Sequence, residues 1–114
     1  MILLIDDDAA ALDLRALIFE HHGFQTSKAS TVEQARAVFH EHQPSAVVMD
    51  LRIPSTEDGL ALIREFRGTS TSVRLIVLSG WPADLDRCPE ARMIDALFAK
   101  PAHPSLLIQA VTAS

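Results

Sequence analysis

The sequence predicts an α/β domain built on a parallel sheet with helices on both faces. Three observations lead there. The apolar runs ILLI at 2–5, AVVM at 46–49 and the aliphatic stretch at 73–78 suit strands buried on both sides. Between them the apolar spacing changes to that of amphipathic helices. This β-α alternation recurs five times in 114 residues, and strands joined by single helices are parallel, with right-handed crossovers.

The elements follow in order. Ile2–Ile5 is the first strand. Residues 9–21 form a helix with Ala10, Leu14, Leu17 and Ile18 on its inner face and Asp13, Arg15 and Glu20 elsewhere. Asp8 caps it and Gly23 stops it. FQTSK at 24–28 is a weaker strand. Ser30 and Glu33 have capping-box spacing and open a helix that runs to about His42, with Val32, Ala35 and Phe39 inward. Pro44 ends it. The strand Ala46–Met49 finishes on Asp50, and the loop LRIPSTED leads into a helix from Gly59 to Arg67, closed by Gly68. Val73–Leu78 ends at Ser79-Gly80. Pro82 and Pro89 leave any helix over 82–93 short or broken. Ala96–Ala99 is the fifth strand, ending at Lys100-Pro101. Pro104 opens a last helix carrying Leu107, Ile108 and Val111.

Composition narrows the function. The residues are 48% apolar, enough for one core in one domain over 1–114. A net charge of −5 argues against a basic face for nucleic acid. Cys88 is the single cysteine, so no internal disulfide forms, and a reducing, cytoplasmic setting is the natural expectation. No apolar run approaches membrane-span length, and the N-terminus lacks signal-peptide regions.

In a parallel α/β sheet, polar chemistry collects beyond the carboxyl ends of the strands. Those ends carry Asp6-Asp7, Asp50, Ser79 and Lys100. Read alone, the run Asp6-Asp7-Asp8 is also what a helix start favours, and Asp8 serves as the cap. Read together, the carboxylates form a hard-oxygen site suited to Mg²⁺ or Mn²⁺. A carboxylate can attack phosphorus to give an acyl phosphate, with a lysine and a hydroxyl on the phosphoryl oxygens. The five histidines, at 21, 22, 40, 42 and 103, have no acidic or cysteine partner at metal spacing and are expected to be solvated.

ILLIDDD, VVMDLRIPSTEDG, LIVLSG and LFAKP, in that order, resemble the receiver domain of bacterial two-component response regulators. The resemblance spans essentially the whole chain. It implies a flavodoxin-like (βα)5 three-layer sandwich with strand order 2-1-3-4-5. It implies Asp50 as acceptor of a phosphoryl group from a histidine on a sensor kinase or phosphotransfer protein, and a downstream protein controlled by the switch. It further implies metal binding by Asp6, Asp7, Asp50 and the Arg52 backbone carbonyl, switch roles for Ser79 and Lys100, and a cis bond before Pro101. Such a domain catalyses only its own phosphorylation and dephosphorylation.

The chain departs from the family pattern in several places. Pro54 to Gly59 is one residue longer than the usual spacing, and Ser79 replaces the commoner threonine. Leu97 stands where an aromatic usually swings inward on activation, and Phe98 points to the other face. Arg52 and Trp81 lie two residues beyond Asp50 and Ser79, at positions that in the family overhang the pocket. Both are candidate gates against hydrolytic water. Two other functions fit parts of the pattern: a degenerate receiver serving as a phosphorylation-independent scaffold, and a haloacid-dehalogenase-type phosphohydrolase. The hydrolase finds its Asp-x-Asp in Asp6-Asp7-Asp8. It lacks the later acidic pair and has Ala10 where Val or Thr is wanted.

Overall fold

Strands β1 (Ile2–Ile5), β2 (Thr26–Ala29), β3 (Ala46–Asp50), β4 (Arg74–Ser79) and β5 (Ala96–Ala99) form one parallel sheet in the order β2-β1-β3-β4-β5. The structure is a computed structural model and describes residues 1–112. The helices are α1 (Ala9–His21), α2 (Val32–His42), α3 (Thr56–Thr69), α4 (Ala83–Asp86) and α5 (Pro104–Thr112), with a 3-10 turn at Pro89–Arg92.

Alternate strand residues feed two cores, as period two requires. Leu3, Ile5, Val47, Met49, Leu75 and Val77 meet Phe39 of α2 and Leu62, Ile63 and Phe66 of α3. Leu4, Val48, Ile76 and Leu78 meet Leu12, Ala16 and Phe19 of α1 and Leu107 of α5. Phe39 stacks on Phe66 with ring centroids 4.0 Å apart, which locks α2 to α3. Burial on both faces is why the central strands read as continuous apolar runs. Arg67 ties α3 to the chain entering β5: its guanidinium donates to the carbonyls of Met93 at 2.7 Å and Val73 at 2.8 Å.

Several local expectations are corrected. α1 buries Leu12, Ala16 and Phe19, whereas Leu14 and Leu17 are 61% and 64% exposed. That stretch is apolar on most sides, so spacing alone did not select the face. α2 is capped by Thr31, not Ser30: the Thr31 hydroxyl accepts from the Gln34 N–H at 3.1 Å. α3 begins at Thr56, ahead of Gly59, because Ser55 and Asp58 form the capping pair. The Ser55 hydroxyl accepts from the Asp58 N–H and donates to its carboxylate. Gly68 lies inside α3. The segment with Pro82 and Pro89 is, as expected, short and broken: the single turn α4 and the 3-10 turn. Of the histidines, His40 is not merely solvated. Its Nε2 lies 2.8 Å from Glu65, which also accepts from Arg36. Burial alone would raise the Glu65 carboxyl, but the hydrogen bonds from His40 and Arg36 outweigh it and hold that carboxyl below its ordinary value. His40 and Arg36 stand 25 and 29 residues from Glu65 and meet it only through α2–α3 packing.

No helix among the described residues is long and apolar enough to cross a membrane.

Candidate functional site

Strand register places the polar ends side by side. Ile5 pairs with Met49, so Asp6 emerges beside Asp50. Asp50 pairs with Leu78 and Ser79 with Ala99, so Ser79 and Lys100 follow on the same rim. Asp6 and Asp50 are buried, and Asp7 is exposed where the chain turns toward α1. One carboxylate oxygen from each of Asp6, Asp7 and Asp50 falls within 4.8 Å of the other two. The donors are hard oxygens at a separation that small side-chain rotations close around a divalent ion with ligands at about 2.1 Å. The set therefore fits Mg²⁺ or Mn²⁺.

Each acid is held by its surroundings. Asp6 Oδ1 accepts from the Asp8 N–H at 2.9 Å, while Asp8 caps α1 through the N–H groups of Ala10 and Ala11. Asp50 Oδ1 accepts from the Arg52 N–H at 3.3 Å, and Asp50 Oδ2 accepts from Lys100 Nζ at 2.6 Å. Lys100 is carried there by backbone pairing, its N–H donating to the Ser79 carbonyl at 2.9 Å, and the Lys100–Pro101 peptide is cis. The Ser79 hydroxyl is buried on the same rim and accepts from the Trp81 N–H at 3.0 Å. A cavity of about 410 Å³ opens over Asp6, Asp7, Asp50 and Lys100.

The two candidate gates are placed differently. The Arg52 guanidinium turns to Asp84 of α4 at 2.7 Å, and the Trp81 side chain stands 66% exposed. Leu97 packs from β5 against the core under α3, while Phe98 lies on the opposite face. The Ile53–Pro54 peptide is also cis, which nothing in the sequence signalled. One residue of the rim escaped sequence reading. Arg15 of α1 reaches back to the cavity, with Nη1 3.5 Å from Asp6 Oδ2. Its charge, set among apolar neighbours on an ambiguous helix, carried no signal of which way it pointed.

Partial desolvation at the rim pushes the Asp7 carboxyl above its ordinary value, and the hydrogen bond and charge of Asp6 and the charge of Asp50 add to this. A carboxyl raised in the folded state binds its proton more tightly there than in the unfolded chain. Stability then falls as pH climbs from the ordinary carboxylate value through the raised one, and the penalty is complete above the raised value. With metal chelated, Asp7→Asn is expected to melt above wild type at pH 7. The gap closes as pH drops below the ordinary carboxylate range. An ion held by all three acids would reverse the order in Mg²⁺, because it would stabilise the chain that keeps all three more than the variant. Thermal melts across pH, in chelator and in Mg²⁺, check this.

The family model for the response regulator receiver domain matches residues 2–112. The chain belongs to this family. As a receiver domain it is a module of two-component signalling, a phosphoacceptor switch by class and not a conventional enzyme. The photosynthetic apparatus regulatory protein RegA of Rhodobacter capsulatus is 37% identical over 82 residues, covering 72% of this chain and 44% of RegA. The sporulation initiation phosphotransferase F of Bacillus subtilis is 29% identical over 102 residues, covering 88% of this chain and 81% of its own. This receiver thus spans less than half of one relative and most of another. Among solved structures, the receiver domain of NtrX from Brucella abortus superposes with a TM-score of 0.85 at 27% identity, each chain covered in full. A response regulator from Burkholderia pseudomallei, described with a phosphorylated aspartic acid, a calcium ion and citrate, superposes with a TM-score of 0.86. It is 22% identical, covering 98% of this chain and 66% of its own, and shares the fold.

Proposed function

We propose that this receiver takes a phosphoryl group from a partner histidine onto Asp50 in a Mg²⁺-dependent reaction. The observation that carries the reading is the convergence of Asp6, Asp7 and Asp50 on one rim, with Lys100 Nζ 2.6 Å from the Asp50 carboxylate. Asp7, Asp50 and the Arg52 backbone carbonyl would hold the metal directly, with Asp6 beside them. When bound, the ion offsets the carboxylate repulsion and polarises the phosphoryl oxygens.

The residues of the chain do the rest. A carboxylate oxygen of Asp50 forms the new O–P bond as the P–N bond to the partner imidazole breaks, and the imidazole leaves with its proton. Lys100 supplies a cation to the phosphoryl oxygens, and the Ser79 hydroxyl donates a hydrogen bond to one of them. The donor is a sensor histidine kinase or histidine phosphotransfer protein in the cytoplasm. A downstream protein reads the switch, and neither nucleic acid nor membrane is bound by this domain. With Leu97 in place of an aromatic, the relay runs through other contacts. The Arg52–Asp84 pair joins the acceptor loop directly to α4. The phosphorylated aspartic acid and calcium ion of the Burkholderia pseudomallei protein support the reading by analogy of fold.

A small-molecule phosphodonor such as acetyl phosphate tests it. Intact mass should rise by one phosphoryl group in Mg²⁺ and not in chelator. A chain that stays unlabelled in Mg²⁺ contradicts the reading and leaves the scaffold alternative, whereas steady phosphate release dependent on Asp6 would indicate a hydrolase. Trp81 belongs to the same proposal as a shield against hydrolytic water. Trp81→Ala is expected to shorten the lifetime of the acyl phosphate severalfold, and an unchanged lifetime removes that role.

A further inference from the structure

We infer that Arg15 is a built-in counter-ion of the acidic site, competing with the divalent cation for Asp6 and thereby setting how tightly the metal binds. The inference rests on the metal-site reading above and goes beyond it.

Arg15 sits seven residues beyond the Asp8 cap, about 10 Å along α1. Helical side chains lean toward the N-terminus, so a long one at this position can return to the strand ends. Ala11, one turn earlier on the same stripe, also lines the cavity, and its methyl group leaves room for the arginine stem to pass. The Arg15 side chain is only 17% exposed and that of Asp6 only 4%. Arg15 Nη1 is buried, makes no hydrogen bond among the described residues, and stands 3.5 Å from Asp6 Oδ2. Asp6 Oδ1 is already committed to the Asp8 N–H. The guanidinium therefore faces the oxygen that Asp6 has left for a cation.

A buried guanidinium nitrogen without a hydrogen bond is costly, and attraction to nearby carboxylates is what offsets that cost here. Arginine suits the task because its charge is permanent, spread over a plane and weakly hydrated. With Lys100 on Asp50 and Arg15 on Asp6, two resident cations face three carboxylates. A divalent ion entering beside Asp6 meets a partly neutralised site and must share the Asp6 carboxylate with its partner.

Calorimetric titration of the whole chain with Mg²⁺, combined with thermal melts in chelator, tests this. Arg15→Gln is expected to bind Mg²⁺ roughly tenfold more tightly than wild type, the order expected from removing one partly screened charge. It should also melt at lower temperature without metal. Arg15→Lys, which keeps the charge, should bind within about twofold of wild type. In an Asp6→Asn background, the effect of Arg15→Gln on the metal-free melt should largely vanish, because the partner is gone. Equal or weaker Mg²⁺ binding by a folded Arg15→Gln chain overturns the inference while leaving the site reading intact. If wild type and variants alike take up no Mg²⁺, the site reading fails and the inference fails with it. Should Arg15→Gln not fold, Arg15→Lys and the melts in chelator decide: a metal-free melt of Arg15→Lys that is indifferent to Asp6→Asn also overturns it.

Discussion

Asp50→Asn is expected to abolish phosphoryl incorporation while leaving the fold intact. The amide keeps the size of the carboxylate and an oxygen to accept from the Arg52 N–H. It has no anionic oxygen with which to attack phosphorus. The substitution also breaks the 2.6 Å ion pair with Lys100. Breaking a partly buried pair usually costs stability, but here one of three mutually repelling acids is removed at the same time. The opposing terms leave a net stability change of about 1 kcal/mol in either direction. Intact mass after treatment with acetyl phosphate and Mg²⁺ should show no added group, while the melt shows a cooperative unfolding close to wild type. Incorporation that persists would move the acceptor away from Asp50.

Gly59→Ala is expected to damage fold and site together. A Cβ at Gly59 would stand 1.7 Å from the Leu51 carbonyl oxygen, a backbone atom that no rotamer change can clear. Either α3 lifts from the sheet or Leu51 shifts. Overpacking of this kind costs roughly 3 kcal/mol or more, about 10 °C in melting temperature for a domain of this size. Leu51 follows Asp50 directly and donates to the Leu78 carbonyl at 2.9 Å, so displacing it also moves the proposed acceptor. Phosphorylation should slow even in the folded fraction. Gly68 supplies the control. It lies in α3, and a Cβ there meets nothing within 4 Å among the described residues, so Gly68→Ala should be neutral or stabilising by up to about 1 kcal/mol. Denaturant melts of the two variants check the contrast, and a Gly59→Ala chain as stable as wild type would contradict this account of the α3–Leu51 contact.

The sheet and its rim were legible because both obey short-range rules. A strand buried on both faces must be apolar throughout, so its last residue before solvent stands out when it is Asp6, Asp50 or Ser79. Parallel register then brings those ends together. What was not legible depends on contacts between distant segments or on local competition among equivalent signals. α1 offered apolar residues on most sides, and only docking against α5 and the sheet decided that Leu12, Ala16 and Phe19 turn inward. The same rotation carried Arg15 to the acids. His40 and Glu65 meet because Phe39 stacks on Phe66 in the next helix. The early start of α3 was concealed by a loop rich in polar residues. Ser55 and Asp58 there had the spacing of a capping pair, a signal that Pro54 and Gly59 overshadowed.

On the proposed function, the acids at the ends of β1 and β3 together hold one divalent cation. Calorimetric titration of the whole chain with Mg²⁺, beside Asp7→Asn, tests it most directly. Saturable uptake of one ion by wild type, weakened at least tenfold in the variant, is expected. No saturable uptake, or the same affinity in both chains, would contradict it.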